Sequence, residues 1–352
     1  MRRLLAATLV AVMLTAALPI MTSATAPGAA AAAHNGLKIA IIDTGIDATH
    51  QEFGPGQIVA WKDFTDVPSA TPVDNHGHGT ATASLAAGLN VGACGGGPDR
   101  QKKSFAPGAD LIIGRVGDDN GDIEGDLDDA IDWAVSEGAD VISVSIGSIA
   151  PLPVDGSQAF DRARAAGVLT VVAAGNGAGN LGLVPFPSWL AFYGNERANL
   201  VVGTATWQGS APASISGNSD PDLVSWGVNQ CVALTNTNSY EIGTGTSYAA
   251  PMVAGMALTV LGEARANGHD LAPAELERLI SFSATNIPTV SYHREGLGYV
   301  LDNEFATMMA HAAAGTLPDY TAQGTHAEID LAFHDFKEAW LQRITTSIPF
   351  LV

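Results

Sequence analysis

The chain has 352 residues, of which 47 % are hydrophobic and 7 % aromatic, with 39 glycines and a formal net charge of −20. That length suits one large domain or two small ones, with ample apolar material for a core. So acidic a balance argues against nucleic acid or an anionic membrane as partner and fits a solvated surface, a metal cation or a basic polypeptide.

In chain order, Arg2 and Arg3 form a short basic segment, Leu4 to Ile20 a mostly apolar one, and small residues run from Thr22 to Ala33 with several Ala-x-Ala sites. This order predicts a signal peptide over residues 1–33, cleaved on export to give a secreted chain. An uncleaved anchor is the alternative, but the apolar run is short for a bilayer span, and no later segment is long and apolar enough to cross one. Export puts Cys94 and Cys231 in an oxidising compartment. One disulfide between them is expected, two buried thiols being the alternative.

Short runs rich in Val and Ile predict strands at Lys38–Ile42, Asp110–Val116, Asp140–Ile146, Val168–Ala173 and Leu200–Thr204. They are apolar throughout rather than alternating, as in strands covered on both faces. Helices are predicted over Gly79–Ala87, Gly125–Glu137 and Gly156–Ala166, then Ser247–Leu261, Pro273–Phe282 and Asn303–Ala313. Gly92–Pro98 and Gly175–Gly182 read as loops. Strand and helix in alternation predict an α/β fold, a doubly wound, mostly parallel sheet with helices on both faces, over residues 34–314. Sites in such sheets lie beyond the carboxyl ends of the strands. In the tail, residues 315–352, Ile329, Phe333, Phe336, Trp340 and Ile344 fall at helical spacing and predict an amphipathic helix packed on its own domain.

Three segments carry residues suited to acyl transfer. In Ile39-Ala40-Ile41-Ile42-Asp43-Thr44-Gly45-Ile46-Asp47 a carboxylate follows an apolar strand, a placement also used for a metal, a ribose or a turn. In Asp74-Asn75-His76-Gly77-His78-Gly79-Thr80 a His opens a helix of small residues. Two His at i and i+2 share no helix face, which argues against a helical zinc pair. In Gly243-Thr244-Gly245-Thr246-Ser247-Tyr248-Ala249-Ala250-Pro251 a Gly-rich approach delivers a Ser to a helix start. An N-cap is the plain alternative. A nucleophile there would have backbone N–H groups and the helix dipole beside it to stabilise an oxyanion.

These segments, in the order Asp, His, Ser, resemble the signature blocks of the subtilisin (subtilase) family of serine peptidases, over roughly residues 37–314. The resemblance implies a subtilisin-like fold and a secreted, monomeric serine endopeptidase acting on polypeptides. It implies no cofactor for the chemistry, with calcium as an optional structural ion. By position, Asp43 orients the imidazole, His78 is general base and then acid, and Ser247 is the nucleophile. His76 falls in the preceding loop. Val171-Val172-Ala173-Ala174-Gly175-Asn176 resembles the oxyanion-hole segment, with the Asn176 amide as donor beside the Ser247 N–H; an Asn in a Gly-rich turn is the alternative. Ser143-Val144-Ser145-Ile146-Gly147 resembles the strand lining the primary specificity pocket, where substrate pairs through Ser145, Ile146 and Gly147. Phe186-Pro187 resembles a cis-proline site. In the family's fold the regions of Cys94 and Cys231 approach each other.

The chain also departs from the pattern. Ala81 stands where the family often has a second His, and Ser225-Trp226-Gly227 where it has Ala-Pro-Gly. Asn90–Ser104 reads as an insertion. The stretch between Ala33 and the first strand is too short for a folding prodomain, so folding without a cleaved one is expected. The acidic loop Asp118-Asp119-Asn120-Gly121-Asp122-Ile123-Glu124-Gly125-Asp126 has three readings. It is a solvated face, a calcium site, or a specificity surface in which Asp122 and Glu124 favour basic substrate residues. Against an active peptidase stand a catalytically dead peptide binder, an acyl transferase of the same fold, and a non-enzymatic calcium-binding or adhesion module.

Overall fold

Residues 34, 36–97, 101–146, 158–176, 199–209, 221–286 and 298–318 are described in the structure, which is a computed structural model. The signal segment, the apolar stripe of the tail, Gly147, residues 177–182 and the Phe186-Pro187 site lie outside the described residues.

The elements run β1 (Lys38–Asp43), β2 (Ile58–Asp63), α1 (His78–Ala87), β3 (Asp110–Arg115), α2 (Leu127–Ser136), β4 (Val141–Val144), α3 (Gln158–Ala165), β5 (Leu169–Ala173) and β6 (Leu200–Ala205). There follow β7 (Leu223–Trp226), β8 (Gln230–Leu234), β9 (Ser239–Gly243), α4 (Thr246–Ala266), α5 (Pro273–Ser283), β10 (Thr285–Asn286), β11 (Gly298–Val300) and α6 (Asp302–Ala314). Among the described residues, nine strands form one sheet in the order β10-β11-β7-β6-β5-β4-β1-β3-β2. Every neighbouring pair is parallel except β10–β11. The chain leaves β1 towards β3 and β2, then returns to build the other half from β4 onward. The crevice at the carboxyl ends of β1 and β4 is therefore the topological switch point, where such sheets hold their sites.

Strand β1 is buried beyond its first residue. Its Ile39 and Ile41 join the core that contains Leu85 of α1 and Val253 of α4. Its Ala40 and Ile42 join the opposite core, with Ile131 of α2 and Phe160 of α3. Side chains alternate across a strand, so Asp43, in step with Ile39 and Ile41, faces α1 and α4. The doubly wound α/β architecture expected from the apolar runs is thus present.

Several boundaries differ from the sequence expectation. The ladder of β4 stops at Val144 and leaves Ser145 and Ile146 beyond it. Helix α2 starts at Leu127 because the Asp126 carboxylate caps it, accepting the N–H groups of Asp128 and Asp129 at 2.9 and 3.1 Å. Helix α4 spans 21 residues, well past Leu261, and its buried residues include Ala264. Strand β2 is not among the expected strands although Ile58-Val59-Ala60-Trp61 is an apolar run; it is the sheet edge and is half-exposed over 58–62. The β8–β9 hairpin is also unheralded; it turns at Asn236, whose φ is 59°. Ser225 and Trp226 end β7 rather than making a turn, and the Trp226 ring packs edge-on to Trp207 at 4.6 Å.

The Asn90–Ser104 loop is held down at both ends. Cys94 is disulfide-bonded to Cys231 of β8, 137 residues away. A crosslink over so long a loop stabilises by up to about 4–5 kcal/mol in the chain-entropy model. Beside it the buried Glu52 carboxylate accepts the N–H groups of Asn90, Val91 and Gly92 at 2.8–3.1 Å and the Tyr240 hydroxyl at 2.8 Å. Lys102 is buried too, and its ammonium donates to the Ser84 carbonyl. Burial pushes the ammonium down to about 8, against the opposing pull of the Glu52 carboxylate. Between that value and an ordinary lysine's, about 10.4, the unfolded chain holds the proton and the folded chain does not, so stability rises with pH there. Thermal denaturation of wild type and Lys102→Met measures this. The wild-type melting temperature is expected to gain on the variant's as pH goes from about 8 to about 10; a constant difference would refute the poorly solvated ammonium.

Candidate active site

Asp43 ends β1 with 1 % of its side chain exposed. A buried carboxylate must be matched by donors, and Asp43 has three. Its Oδ1 accepts the Thr44 N–H at 2.8 Å and His78 Nδ1 at 2.7 Å, and its Oδ2 accepts the Thr82 hydroxyl at 3.2 Å. The glycines on either side of this contact explain how close the two segments come. A Cβ on Gly79 would stand 2.2 Å from the Gly45 carbonyl oxygen, and one on Gly45 would stand 1.9 Å from that of Val73. Glycine at 79 lets the first turn of α1 touch the loop after β1 backbone to backbone, and glycine at 45 lets that loop touch the segment before α1 in the same way.

Asp74, in the loop before α1, has a structural role that its sequence segment does not announce. Helix α1 has Gly77 at its N-cap and no capping side chain of its own. Asp74 supplies the cap from the preceding loop, accepting the N–H groups of Gly77 and Thr80 at 2.7 and 2.8 Å and the Thr80 hydroxyl at 2.7 Å. It also accepts the Thr44 hydroxyl at 2.9 Å, while Thr44 accepts the Gly79 N–H at 2.8 Å. One side chain thus ties the end of β1 to the start of α1. The signal in the sequence was an Asp four residues before a helix whose own N-cap is glycine.

His78 opens α1 with 20 % of its side chain exposed. Its ring is near two others, His76 at 6.2 Å and Tyr248 at 5.9 Å between centroids. Burial by itself would lower its pKa, and a helix N-terminus would do the same. The Asp43 charge and hydrogen bond, with Asp74 adding a little, more than compensate, so the net shift is upward.

Ser247 is the second residue of α4. Pro251, four residues on, has no N–H, so the Ser247 carbonyl lacks its usual helical partner. The Ser247 hydroxyl donates to the Ser145 carbonyl at 3.0 Å, just past the end of β4. Asn176, beyond the end of β5, accepts the Thr246 N–H at 2.8 Å and the Thr246 hydroxyl at 3.2 Å through its side-chain oxygen. Its amide nitrogen lies 3.3 Å from where a Cβ on Gly245 would stand. The oxygen being engaged, the N–H donors are left for an incoming group. The structure brings Asp43 and His78 into direct contact and sets Ser247, Ser145 and Asn176 around the first turn of α4. Ile146 is buried against Gly117, and Gly147 lies outside the described residues.

The acidic loop lies beside this cleft. A Cβ on Gly121 would meet His76 Nε2 at 2.7 Å, and the Asn75 amide donates to Asp119 at 3.1 Å. Arg115 anchors the loop from below, bonding the buried Asp63 at 3.0 Å and Asp119 at 2.8 Å. Asp118 accepts the Asn120 and Asp122 N–H groups, and Asp126 caps α2. Asp122 and Glu124 remain exposed. Among the described residues no three His, Cys, Asp or Glu side chains converge as metal ligands.

The subtilase family profile matches residues 34–300. The chain is 32 % identical over 245 residues to thermitase of Thermoactinomyces vulgaris, a match covering 68 % of this chain and 80 % of that one. It is 34 % identical over 225 residues to the major intracellular serine protease of Bacillus subtilis (strain 168), covering 62 % and 66 %. To subtilisin BL of Lederbergia lenta it is 32 % identical over 280 residues, covering 76 % and 93 %. A solved structure of a cold adapted subtilisin-like serine proteinase matches with a TM-score of 0.59 at 25 % identity, over 76 % of this chain and 89 % of that one.

Because Asp43 holds the His78 pKa up, their contact stabilises the fold fully below about pH 6.5 and loses that contribution as pH rises through the raised value. Asp43→Asn removes the charge and keeps the burial. NMR titration of the His78 ring in that variant is expected to give a pKa below about 6.5, where the wild type lies above it; an unchanged value would mean that another group holds the imidazolium.

Proposed function

The chain belongs to the subtilase family of serine endopeptidases, and on that premise we propose that Asp43, His78 and Ser247 are its catalytic triad and Asn176 its oxyanion donor. The observation that supports this most is the 2.7 Å bond from His78 Nδ1 to a carboxylate buried to 1 % exposure. That bond selects the tautomer with its proton on Nδ1 and leaves Nε2 as an acceptor.

The Ser247 hydroxyl turns from the Ser145 carbonyl towards His78 and gives its proton to Nε2 as Oγ bonds to the scissile carbonyl carbon. The electron pair of the carbonyl moves onto its oxygen, where the Asn176 amide and the Ser247 N–H donate to it. The C–N bond then breaks, and the departing amine takes the proton from His78 Nε2. Water repeats the sequence on the acyl-enzyme, losing its proton to His78 and releasing a carboxylic acid as Ser247 regains its hydrogen. Asp43 stays ionised throughout. No cofactor enters any step. The substrate is a polypeptide whose acyl side runs past Ser145, Ile146 and Gly147 as an added strand.

Hydrolysis of casein-like substrates tests the triad. Ser247→Ala and His78→Ala are each expected to leave only residual activity in a folded protein, and His76→Ala a mild loss. Asn176→Ala is expected to lower kcat by about 10²–10³-fold, the range established for a subtilisin, with little change in KM. Full activity in Ser247→Ala would overturn the assignment, and a dead His76→Ala would move the base to the neighbouring His.

Asp122 and Glu124, exposed on a rim anchored by Arg115, are the residues we assign to acyl-side specificity. A carboxylate pair there attracts Lys or Arg, and salt screens that attraction. The ratio of kcat/KM for peptides with a basic and an acidic residue upstream of the cleaved bond is expected to exceed one at low salt. It should fall with added salt and collapse in the Asp122→Asn/Glu124→Gln variant. A ratio indifferent to both salt and substitution would leave the rim a solvated face.

A further inference from the structure

We propose that His76 and His78 together form an inhibitory zinc site, in which the metal takes the electron pair that His78 uses as a base. This regulation rests on the reading of His78 and Ser247 given above. Two His at i and i+2 share no face of a helix, but His76 does not lie on one. Helix α1 begins at His78, and the residue between the two is Gly77 in the left-handed region, with φ 95°. That turn, which favours glycine, brings the His76 ring beside the His78 ring, with 6.2 Å between centroids and 58° between the planes. Zinc binds imidazole nitrogen at about 2.0–2.1 Å, so two imidazoles sharing one ion have their centroids about 5–6 Å apart. A small rotation of the exposed His76 side chain closes the difference.

Each ring has what a metal ligand needs. His78 Nδ1 is bound to the Asp43 carboxylate at 2.7 Å, which fixes the tautomer and leaves the electron pair of Nε2 free. A carboxylate behind the ring is the usual outer partner of a zinc-bound histidine and raises its basicity. His76 has no hydrogen bond or ion pair among the described residues, so neither of its nitrogens is committed. It lies over Gly121, where a Cβ would stand 2.7 Å from its Nε2. The loop around that glycine carries Asp118, Asp119, Asp122 and Glu124. These carboxylates, with Asp43 and Asp74 behind the pair, give the cleft a negative potential that concentrates cations. Imidazole ligands select zinc over calcium or magnesium, which take oxygen ligands. With two side chains as ligands and water completing the tetrahedron the site is weak and reversible, which suits a switch rather than a structural ion. The electron pair donated to zinc is the one that accepts the Ser247 proton, so the metal and the general base exclude each other.

Two measurements on the full chain test this. In the first, casein hydrolysis is followed against buffered free Zn²⁺. Wild type is expected to be inhibited and to recover on dilution into zinc-free buffer, while Ca²⁺ and Mg²⁺ at the same concentration leave it unaffected. His76→Ala, read relative to its own zinc-free rate, should need at least about tenfold more zinc for half-inhibition, the least that losing even an outer partner of a metal ligand costs. His76→Gln should behave in the same way. In the second, Zn²⁺ is titrated calorimetrically into Ser247→Ala, which reads binding without hydrolysis. A site is expected that weakens by the same factor in Ser247→Ala/His76→Ala. Equal zinc sensitivity of wild type and His76→Ala, or binding to Ser247→Ala that is indifferent to His76, overturns the proposal. Fluorophosphonate labelling of Ser247 in zinc-free wild type separates this from the earlier reading: absence of label would defeat the triad, while the calorimetry still decides whether the pair holds zinc.

Discussion

A carboxylate with 1 % of its side chain exposed, placed at the carboxyl end of the central strand, constrains everything around it. Asp43 cannot sit there charged without donors, and those donors come from Thr44, His78 and Thr82. They in turn require α1 to begin within a glycine's width of the loop after β1. Asp74 then caps that helix and ties Thr44 and Thr80 into the same network. The imidazole is consequently fixed by backbone contacts before any substrate arrives. In this arrangement preorganisation is a property of the junction between β1 and α1 rather than of one bond.

Around that junction the parallel sheet does the gathering. Strand β1 stands between β3 and β4, so the loops leaving these strands open on the same side. Ser145 follows β4, Asn176 follows β5, and the acidic loop follows β3. Helix α4 packs on β1, β4, β5 and β6, and Asn176 bonds its first turn through Thr246. The residue that carries the nucleophile is therefore held at the start of a long, almost wholly buried helix. The Ser247 hydroxyl rests on the Ser145 carbonyl, so the nucleophile waits on the strand past which substrate runs.

On the far side of α1 the same logic is met by different means. The Asn90–Ser104 loop buries Glu52 and Lys102, both poorly suited to an apolar interior. Backbone N–H groups and Tyr240 satisfy the carboxylate, and the Ser84 carbonyl receives the ammonium. The Cys94–Cys231 bond fastens this cluster to β8. Tyr240 belongs to β9, whose end meets the Tyr248 ring. The tie-down therefore also braces the strand that precedes the nucleophile.

The sequence by itself determined the central strands and the helices between them, through apolar runs typical of strands covered on both faces. Asp43, His78, Ser247 and Asn176 were marked by the resemblance of their segments to the subtilase signature blocks, each residue being only an open candidate on its local pattern alone. Two cysteines allow one intramolecular pairing, and the structure forms it. The edge strand β2 and strand β8 hold apolar runs of only four residues, 58–61 and 231–234, and the strands at the other edge are shorter still. Runs so short are specified by what they pair with more than by composition. Tertiary structure alone decided that Asp74 caps α1, that Ser247 rests on Ser145, that Arg115 holds the acidic loop, and that Tyr248 lies against His78. Ser145 and Ser247 stand 102 residues apart in sequence, and Asp63 and Arg115 stand 52 apart. Contacts of that kind depend on the stacking order of the strands, which no local pattern encodes; only the packed sheet brings such residues within reach of one another.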